Sequence, residues 1–223
     1  NANPEGLLLS DIKQDKTPEQ LFLQYTTAKD LYSKYTAIEE AKDQVSKNPF
    51  ADKLYAAALK DKFYRNRLLA LEGLPEDPKS FLADVEKLAQ NDEKNLVKGA
   101  AIGVLAKTKN PKYLPLFEKG INAISNSVKG NSLSGIAQVA PDKVVNYAAK
   151  IDLESASEDL VMTLLPVIVK NKITAQMPNI ASLVAFYPFI GFQNPKLAAP
   201  AEEGFNWIMY SDNTKAVYNL TKV

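Results

Sequence analysis

Three stretches of this chain recur at a fixed offset of 31 residues. They are Phe63 to Leu74 (FYRNRLLALEGL), Lys94 to Leu105 (KNLVKGAAIGVL) and Ser125 to Ile136 (SNSVKGNSLSGI). A cation recurs at Arg67, Lys98 and Lys129. Apolar residues recur at Leu71, Ile102 and Leu133, and again at Leu74, Leu105 and Ile136. A period of this size marks a solenoid, in which each unit hides its apolar face only against its neighbours. Each stretch is followed by a breaker: Pro75 with Pro78, then Asn110-Pro111, then Pro141. Proline suits the first turn of a helix, where its missing N–H is not needed. A second apolar set then follows at the same offset, Leu82, Tyr113 and Val144 with Val85, Leu116 and Tyr147. Its i to i+3 steps keep each pair on one helical face. No sustained period-two alternation argues for a sheet. Each unit is therefore expected to be a helix, a short turn and a second helix. A degenerate fourth unit places Leu164 and Val167 on the extrapolated positions, with Leu160 where the cation belongs. The expected fold is all-α, an α-solenoid or superhelix of helix pairs.

Composition narrows the function. The chain has 223 residues, and a solenoid reaches that length by adding units. A formal charge of +1 gives no electrostatic case for nucleic acid or an anionic membrane. The longest apolar runs, Leu160 to Val169 and Ile180 to Phe192, are shorter than the ~20 residues of a membrane span and are interrupted by Pro166 and Pro188. They are expected in the core. There is no Cys and no His, which removes disulfides, thiolate nucleophiles, imidazole bases and the usual zinc ligands. A Ser-His-Asp arrangement is excluded with them. No EF-hand loop and no Walker-type phosphate loop is present. Gly99 and Gly103 have GxxxG spacing, read here as close packing between soluble helices. The Ser10 and Lys13 pair has Ser-x-x-Lys spacing but sits in a segment that reads as extended, and is taken as coincidence.

The N-terminal part reads differently. Gly6 to Ile12 (GLLLSDI) is a short apolar run expected to be a strand with nothing in this chain to pair with. Together with the missing initiator Met, it suggests a piece of something longer, with residues 1–16 a linker or strand tail from a preceding β domain and 17–223 the helical-repeat domain. Thr17-Pro-Glu-Gln20 carries a capping-box signature that opens a helix bearing Leu21, Tyr25, Ala28 and Tyr32. A second helix is expected from about Tyr35 to Val45, and a third from Asn48-Pro49 carrying Leu54, Ala57 and Ala58.

The order Asp-Lys-Thr, Leu-Phe-Leu-Gln-Tyr, Ala-Lys, Tyr-x-x-Tyr-x-Ala-Ile over Asp15 to Ile38 resembles the start of the C-terminal helical, HEAT-like domain of bacterial M1-family zinc aminopeptidases. Ala58 to Arg67 (ALKDKFYRNR), Lys112 to Ile121 (KYLPLFEKGI) and Ala140 to Val144 (APDKV) are similar to later parts of that domain. These are soft packing patterns, shared with HEAT-like arrays of scaffold proteins. The resemblance implies a non-catalytic domain that packs on the catalytic and β domains of its parent chain and shapes the access of peptide substrates. The family's Gly-x-Met-Glu-Asn and His-Glu-x-x-His motifs, which hold the catalytic zinc, are absent here, so zinc is expected in the parent's catalytic domain only. No catalytic, cofactor or metal residue is assigned in this chain. The alternative is a free-standing helical-repeat scaffold that binds a protein partner. Neither reading calls for nucleic acid or membrane, and either side of a bacterial inner membrane, cytoplasm or periplasm, fits a chain without cysteine.

Two groups of residues are candidates for contact. Arg65 and Arg67 are the only arginines, and a guanidinium can grip a peptide's carboxylate with two parallel hydrogen bonds. Alternatively, Arg67 fills the recurrent cation slot and packs its stem on the next unit. Phe186, Tyr187, Phe189, Phe192 and Trp207 either dock on absent domains or close the last turn of the solenoid.

Overall fold

The structure, a computed structural model, describes residues 15–222 apart from 155 and 157. The segment Gly6 to Ile12 and the Ser10 and Lys13 pair lie outside the described residues. Among the described residues the fold is all-α, with no strand. The chain divides into two compact units, Asn1–Pro75 and Glu76–Val223.

The first unit holds α1 (Pro18–Thr27), α2 (Leu31–Ala41), α3 (Pro49–Ala58) and α4 (Tyr64–Glu72). The capping box forms as expected: the Thr17 hydroxyl accepts from the Gln20 N–H and the Gln20 side chain accepts from the Thr17 N–H. Asn48 caps α3 ahead of Pro49, also as expected. The boundary between α1 and α2 differs from the sequence reading. Helix α1 ends at Thr27, and Asp30 caps a new helix by accepting from the Ser33 N–H. Tyr32 therefore belongs to α2, and the cap at Asp30 sets the start of α2 four residues before Tyr35. Helix α1 packs on α2 and α3, and α2 packs on α4. Ala37, Ile38, Ala51, Leu54, Tyr55 and Ala58 are sealed between them. Helix α4 ends at Gly73, where a β-carbon would lie 2.2 Å from the Tyr55 hydroxyl.

The second unit holds α5 (Leu82–Asn91), α6 (Asn95–Lys107), α7 (Leu114–Gly120), α8 (Asn126–Val139), α9 (Pro141–Ala148), α10 (Glu158–Lys170), α11 (Met177–Ala185), α12 (Tyr187–Gln193), α13 (Ala198–Met209) and α14 (Thr214–Thr221). Helix α8 is the hub, packing on α6, α7, α9 and α10. Helices α6, α8, α10 and then α13 follow one another by direct packing, and α13 carries α11, α12 and α14. The repeat is real in this unit: Ile102, Leu105, Leu133, Ile136 and Leu164 are all buried on successive first helices. The first of the three sequence repeats is divided, with α4 in the first unit and α5 in the second.

Two registers need correction. In the second helices the buried positions are Phe81 with Val85, Tyr113 with Phe117, and Val144 with Ala148. Their steps are 32 and then 31, because Phe81 follows Leu71 by 10 residues, whereas Tyr113 follows Ile102 and Val144 follows Leu133 by 11. Leu82, Leu116 and Tyr147 are consequently only half buried. In the fourth unit Leu164 is buried as expected, but Ile168 rather than Val167 is its buried partner. Pro166 is accommodated within α10.

Helices α6 and α8 touch more closely than ordinary side chains allow. A β-carbon on Gly99 would lie 2.1 Å from Ser127 Oγ and 2.9 Å from the Ser127 carbonyl carbon. One on Gly103 would lie 2.7 Å from Asn131 Oδ1. The GxxxG spacing thus serves helix packing, as its polar flanks imply. Gly99→Ala tests this. An exposed helix would gain about 1 kcal/mol from that exchange, but here the added methyl meets backbone and forces α6 from α8 at a cost of ~1–3 kcal/mol. The thermal midpoint of Gly99→Ala is expected below that of the parent; a raised midpoint would refute the packing account.

Candidate functional site

The two candidate arginines have separate fates. Arg65 is exposed and its Nε donates to the Tyr64 hydroxyl at 3.3 Å. Arg67, one turn into α4, is buried, and its Nη1 donates to the carbonyls of Asp61 at 2.8 Å and Lys62 at 3.1 Å. The structure therefore ties Arg67 to the turn before its own helix and does not bring the two guanidinium groups together as one clamp. Lys98 and Lys129, in the equivalent slot of α6 and α8, are half buried.

The turn that Arg67 braces carries a buried carboxylate, Asp61. Asp61 Oδ2 accepts from the Tyr25 hydroxyl at 2.6 Å and from Lys34 Nζ at 2.8 Å, while Oδ1 accepts from the Phe63 N–H at 2.8 Å. Its carboxylate is only 4% exposed. Burial pushes its pKa up, but the Lys34 and Tyr25 hydrogen bonds and the Phe63 N–H outweigh burial and hold it at about 2. The same arrangement drives Tyr25 far above the ordinary phenol range, by burial first and by the Asp61 carboxylate next. Three helices meet at this carboxylate, which makes it a fastening.

The second unit repeats a simpler version on its second helices. Glu86 of α5 accepts from Lys112 Nζ at 2.9 Å and Tyr113 Oη at 2.6 Å. Glu118 of α7 accepts from Lys143 Nζ at 3.2 Å and Tyr147 Oη at 3.1 Å. The Tyr113 and Lys112 bonds hold the Glu86 carboxyl below its usual range. Farther along, Gln176 is buried and donates to the carbonyls of Ala148 and Ile151, satisfying the end of α9. These groups join one repeat to the next.

The aromatic group splits. Tyr187 packs on Phe205 with ring centroids 5.1 Å apart, and Trp207 lies under the Lys172 ammonium at 5.3 Å. Phe186 at the cap of α12 and Phe189 and Phe192 within it, spaced three apart, are exposed by 53, 63 and 86%. The expectation that Ile180 to Phe192 is core holds for Ile180, Ala181 and Val184 of α11 and fails on α12. Phe186 alone separates α11 from α12, and on α12 Tyr187 packs against α13 through Phe205 while Ile190 is buried. A second surface feature, with no sequence signal of its own, is a cleft of about 400 Å³ over α6, α8 and α10. Among the described residues no cluster of three Asp or Glu side chains is placed to hold a metal ion, and no helix is long and apolar enough to cross a membrane.

No family model matches the chain, and no curated protein does. Among solved structures the chain is similar to a designed armadillo repeat protein, at 16% sequence identity and a TM-score of 0.45, covering 92% of this chain and 97% of that one.

The Asp61 fastening has a pH signature. Its pKa is lower in the folded chain than the ordinary 3.8, so its contribution is present above that value and is lost as pH falls toward 2. About 2 kcal/mol of stability should disappear between pH 5 and pH 2 for this reason. Asp61→Asn is expected to be less stable at pH 7 by ~2–4 kcal/mol and to lack that part of the acid dependence. Parallel pH curves for parent and variant would contradict the assignment.

Proposed function

We propose that this chain is a non-catalytic helical-repeat scaffold that holds a protein partner. The observation that carries this is the outward side of α12, where Phe189 and Phe192, with Phe186 at the helix start, stand exposed to solvent. Burying a phenylalanine side chain yields about 1.5–3 kcal/mol, and a folded chain that leaves three together unburied has a surface suited to a partner. Interface cores are enriched in aromatic residues for the same reason. The composition supports the non-catalytic part, since neither imidazole nor thiol is available anywhere in the sequence.

In a finer form of this proposal, the partner belongs to the same parent chain. It is the catalytic and β domains of a bacterial M1-family zinc aminopeptidase, with zinc in the catalytic domain and this chain limiting what peptides reach it. The resemblance over Asp15 to Ile38 and Ala58 to Arg67 supports this form.

A photo-reactive residue in place of Phe192 tests the broader reading in the producing cell. It should form a discrete adduct with another protein or with another part of its own parent chain. Phe189→Asp in that same chain, with the photo-reactive residue kept at 192, should abolish the adduct and leave the thermal midpoint unchanged. If position 192 gives no more adduct than exposed Glu19 does, the scaffold reading falls. The finer form has its own tests. A His-Glu-x-x-His motif should be encoded upstream in the same reading frame. The purified chain should release no amino acid from a chromogenic aminoacyl substrate, with or without added zinc. Zinc-dependent turnover by the chain alone would contradict both forms.

A further inference from the structure

The net charge of +1 hides an uneven distribution. Residues 94–150, which run from the start of α6 to the turn after α9, carry nine lysines against two acids, Glu118 and Asp142, a net of +7. The repeat sets some of these cations in a row. Val85, Phe117 and Ala148 are buried on α5, α7 and α9, and two residues past each stands a lysine: Lys87, Lys119 and Lys150. A step of two residues turns a helical side chain about 200° from the buried one, so all three leave the protein on the same side, and all three are exposed. Lys150 keeps this direction because Ala149 before it is still helical, at φ −63° and ψ −24°. The three helices are neighbours, since Glu86 of α5 accepts from Tyr113 just before α7, and Glu118 of α7 accepts from Tyr147 of α9. Those two glutamates are also engaged by Lys112 and Lys143. Lys87, Lys119 and Lys150 have no hydrogen-bond or ion-pair partner among the described residues. Neutralising a helix dipole accounts for a cation in the last turn, which Lys119 is, but Lys87 stands outside the last turn of α5 and Lys150 beyond the end of α9.

We infer that this row receives an extended acidic segment of a partner polypeptide, with a carboxylate at every third residue. The surface is distinct from the phenylalanines of α12, and the inference goes beyond the scaffold reading by naming the charge and spacing of a ligand. The spacing follows from two repeats that match. Neighbouring helices lie about 8–10 Å apart, and an extended chain of the polyproline type brings every third side chain back to one face after ~9.3 Å. Seven residues therefore reach all three lysines. Beside the last of them, Lys143, Asn146, Tyr147 and Lys150 line a shallow cleft of about 260 Å³. The row suits carboxylates better than nucleic acid. Guanidinium groups, the usual readers of phosphate and base edges, are absent from it, because both arginines belong to α4. Tyr113 and Tyr147, which could stack on bases, are tied to Glu86 and Glu118.

The test titrates the full chain into a fluorescein-labelled heptapeptide with glutamate at its first, fourth and seventh positions and proline or alanine between, read by fluorescence polarisation. The expected result is binding that weakens several-fold between about 0.02 and about 0.15 M salt, and that exceeds binding of a peptide with the three glutamates adjacent. Lys87→Ser with Lys119→Ser and Lys150→Ser should weaken it about tenfold, the scale of three exposed ion pairs, and leave the thermal midpoint unchanged. Lys170→Ser with Lys196→Ser and Lys215→Ser removes the same charge from exposed positions elsewhere and should leave binding within about twofold of the parent. Equal losses in the two triple variants would overturn the inference, because net charge alone would then explain the binding. A lowered midpoint in the first triple variant with peptide affinity unchanged would also overturn it, showing the row to be structural. So would equal affinity for the spaced and adjacent peptides, or no binding of either. If oligothymidylate binds more tightly than the spaced peptide and is lost in the first triple variant, the row is a nucleic-acid surface and the peptide assignment falls. None of these results bears on α12, where the cross-link from position 192 separately decides the scaffold reading.

Discussion

The second unit depends on how closely α6 can approach α8. In a stack of helix pairs there is no central core, and each first helix must bury its face against the one before and the one after. The approach of α6 to α8 is set by two absent side chains, Gly99 and Gly103, which let Ser127 and Asn131 lie on the backbone of α6. Gly120 and Gly135 do the same between α7 and α8, where Ser132 and Phe117 fill the space. Helix α8 can therefore pack on four helices at once, and Leu133 and Ile136 are completely sealed as a result. Glycine inside a helix costs about 1 kcal/mol relative to alanine, and tighter packing of the buried leucines and isoleucines around it offsets that cost.

Much of this was legible in the sequence because helix signals are local. Thr17 and Gln20, or Asn48 and Pro49, announce a helix start through contacts within four residues, and the folded chain makes those contacts. The 31-residue spacing of Leu71, Ile102 and Leu133 was legible because all three lie at the same depth of successive first helices. The second helices were misaligned by one residue because that register depends on turn length, and a fixed offset assumes equal turns. The split between α1 and α2 was expected but placed a few residues late, because apolar spacing runs on through Ala28 to Tyr32, while the break is made by the Asp30 side chain capping Ser33. Helix α13, which continues the packing of α10, was not readable as a repeat. Helix α12 is inserted ahead of it and destroys the spacing.

The surface was less legible than the core, for a physical reason. Phe186, Phe189 and Phe192 look in sequence like the buried residues beside them, since hydropathy carries no record of what covers a side chain. Only the packing of α12 through Tyr187 and Ile190 shows which way the phenylalanines are turned. The cleft over α6, α8 and α10 is harder still. Asn131 and Ser127 line it and are ordinary residues for a polar helix face, and their packing is set by the glycines of a different helix.

Perturbed ionisable groups are often the signpost to a functional site, and here they point elsewhere. Asp61 and Glu86 each accept from a lysine and a tyrosine that lie 26 or more residues away in sequence. Both carboxylates therefore spend their charge in joining distant segments. Arg67, the guanidinium best placed by sequence to grip a ligand, donates to two carbonyls of the turn before its helix. The phenylalanines around α12 that stand in solvent carry no charge. In the scaffold reading proposed above, a partner seated there would be held by apolar contact area and not by ion pairs. The two modes of recognition differ in their salt response. Ion pairing weakens as salt screens it, whereas apolar burial holds, so a complex on that face is expected to change little in affinity across the physiological range of ionic strength.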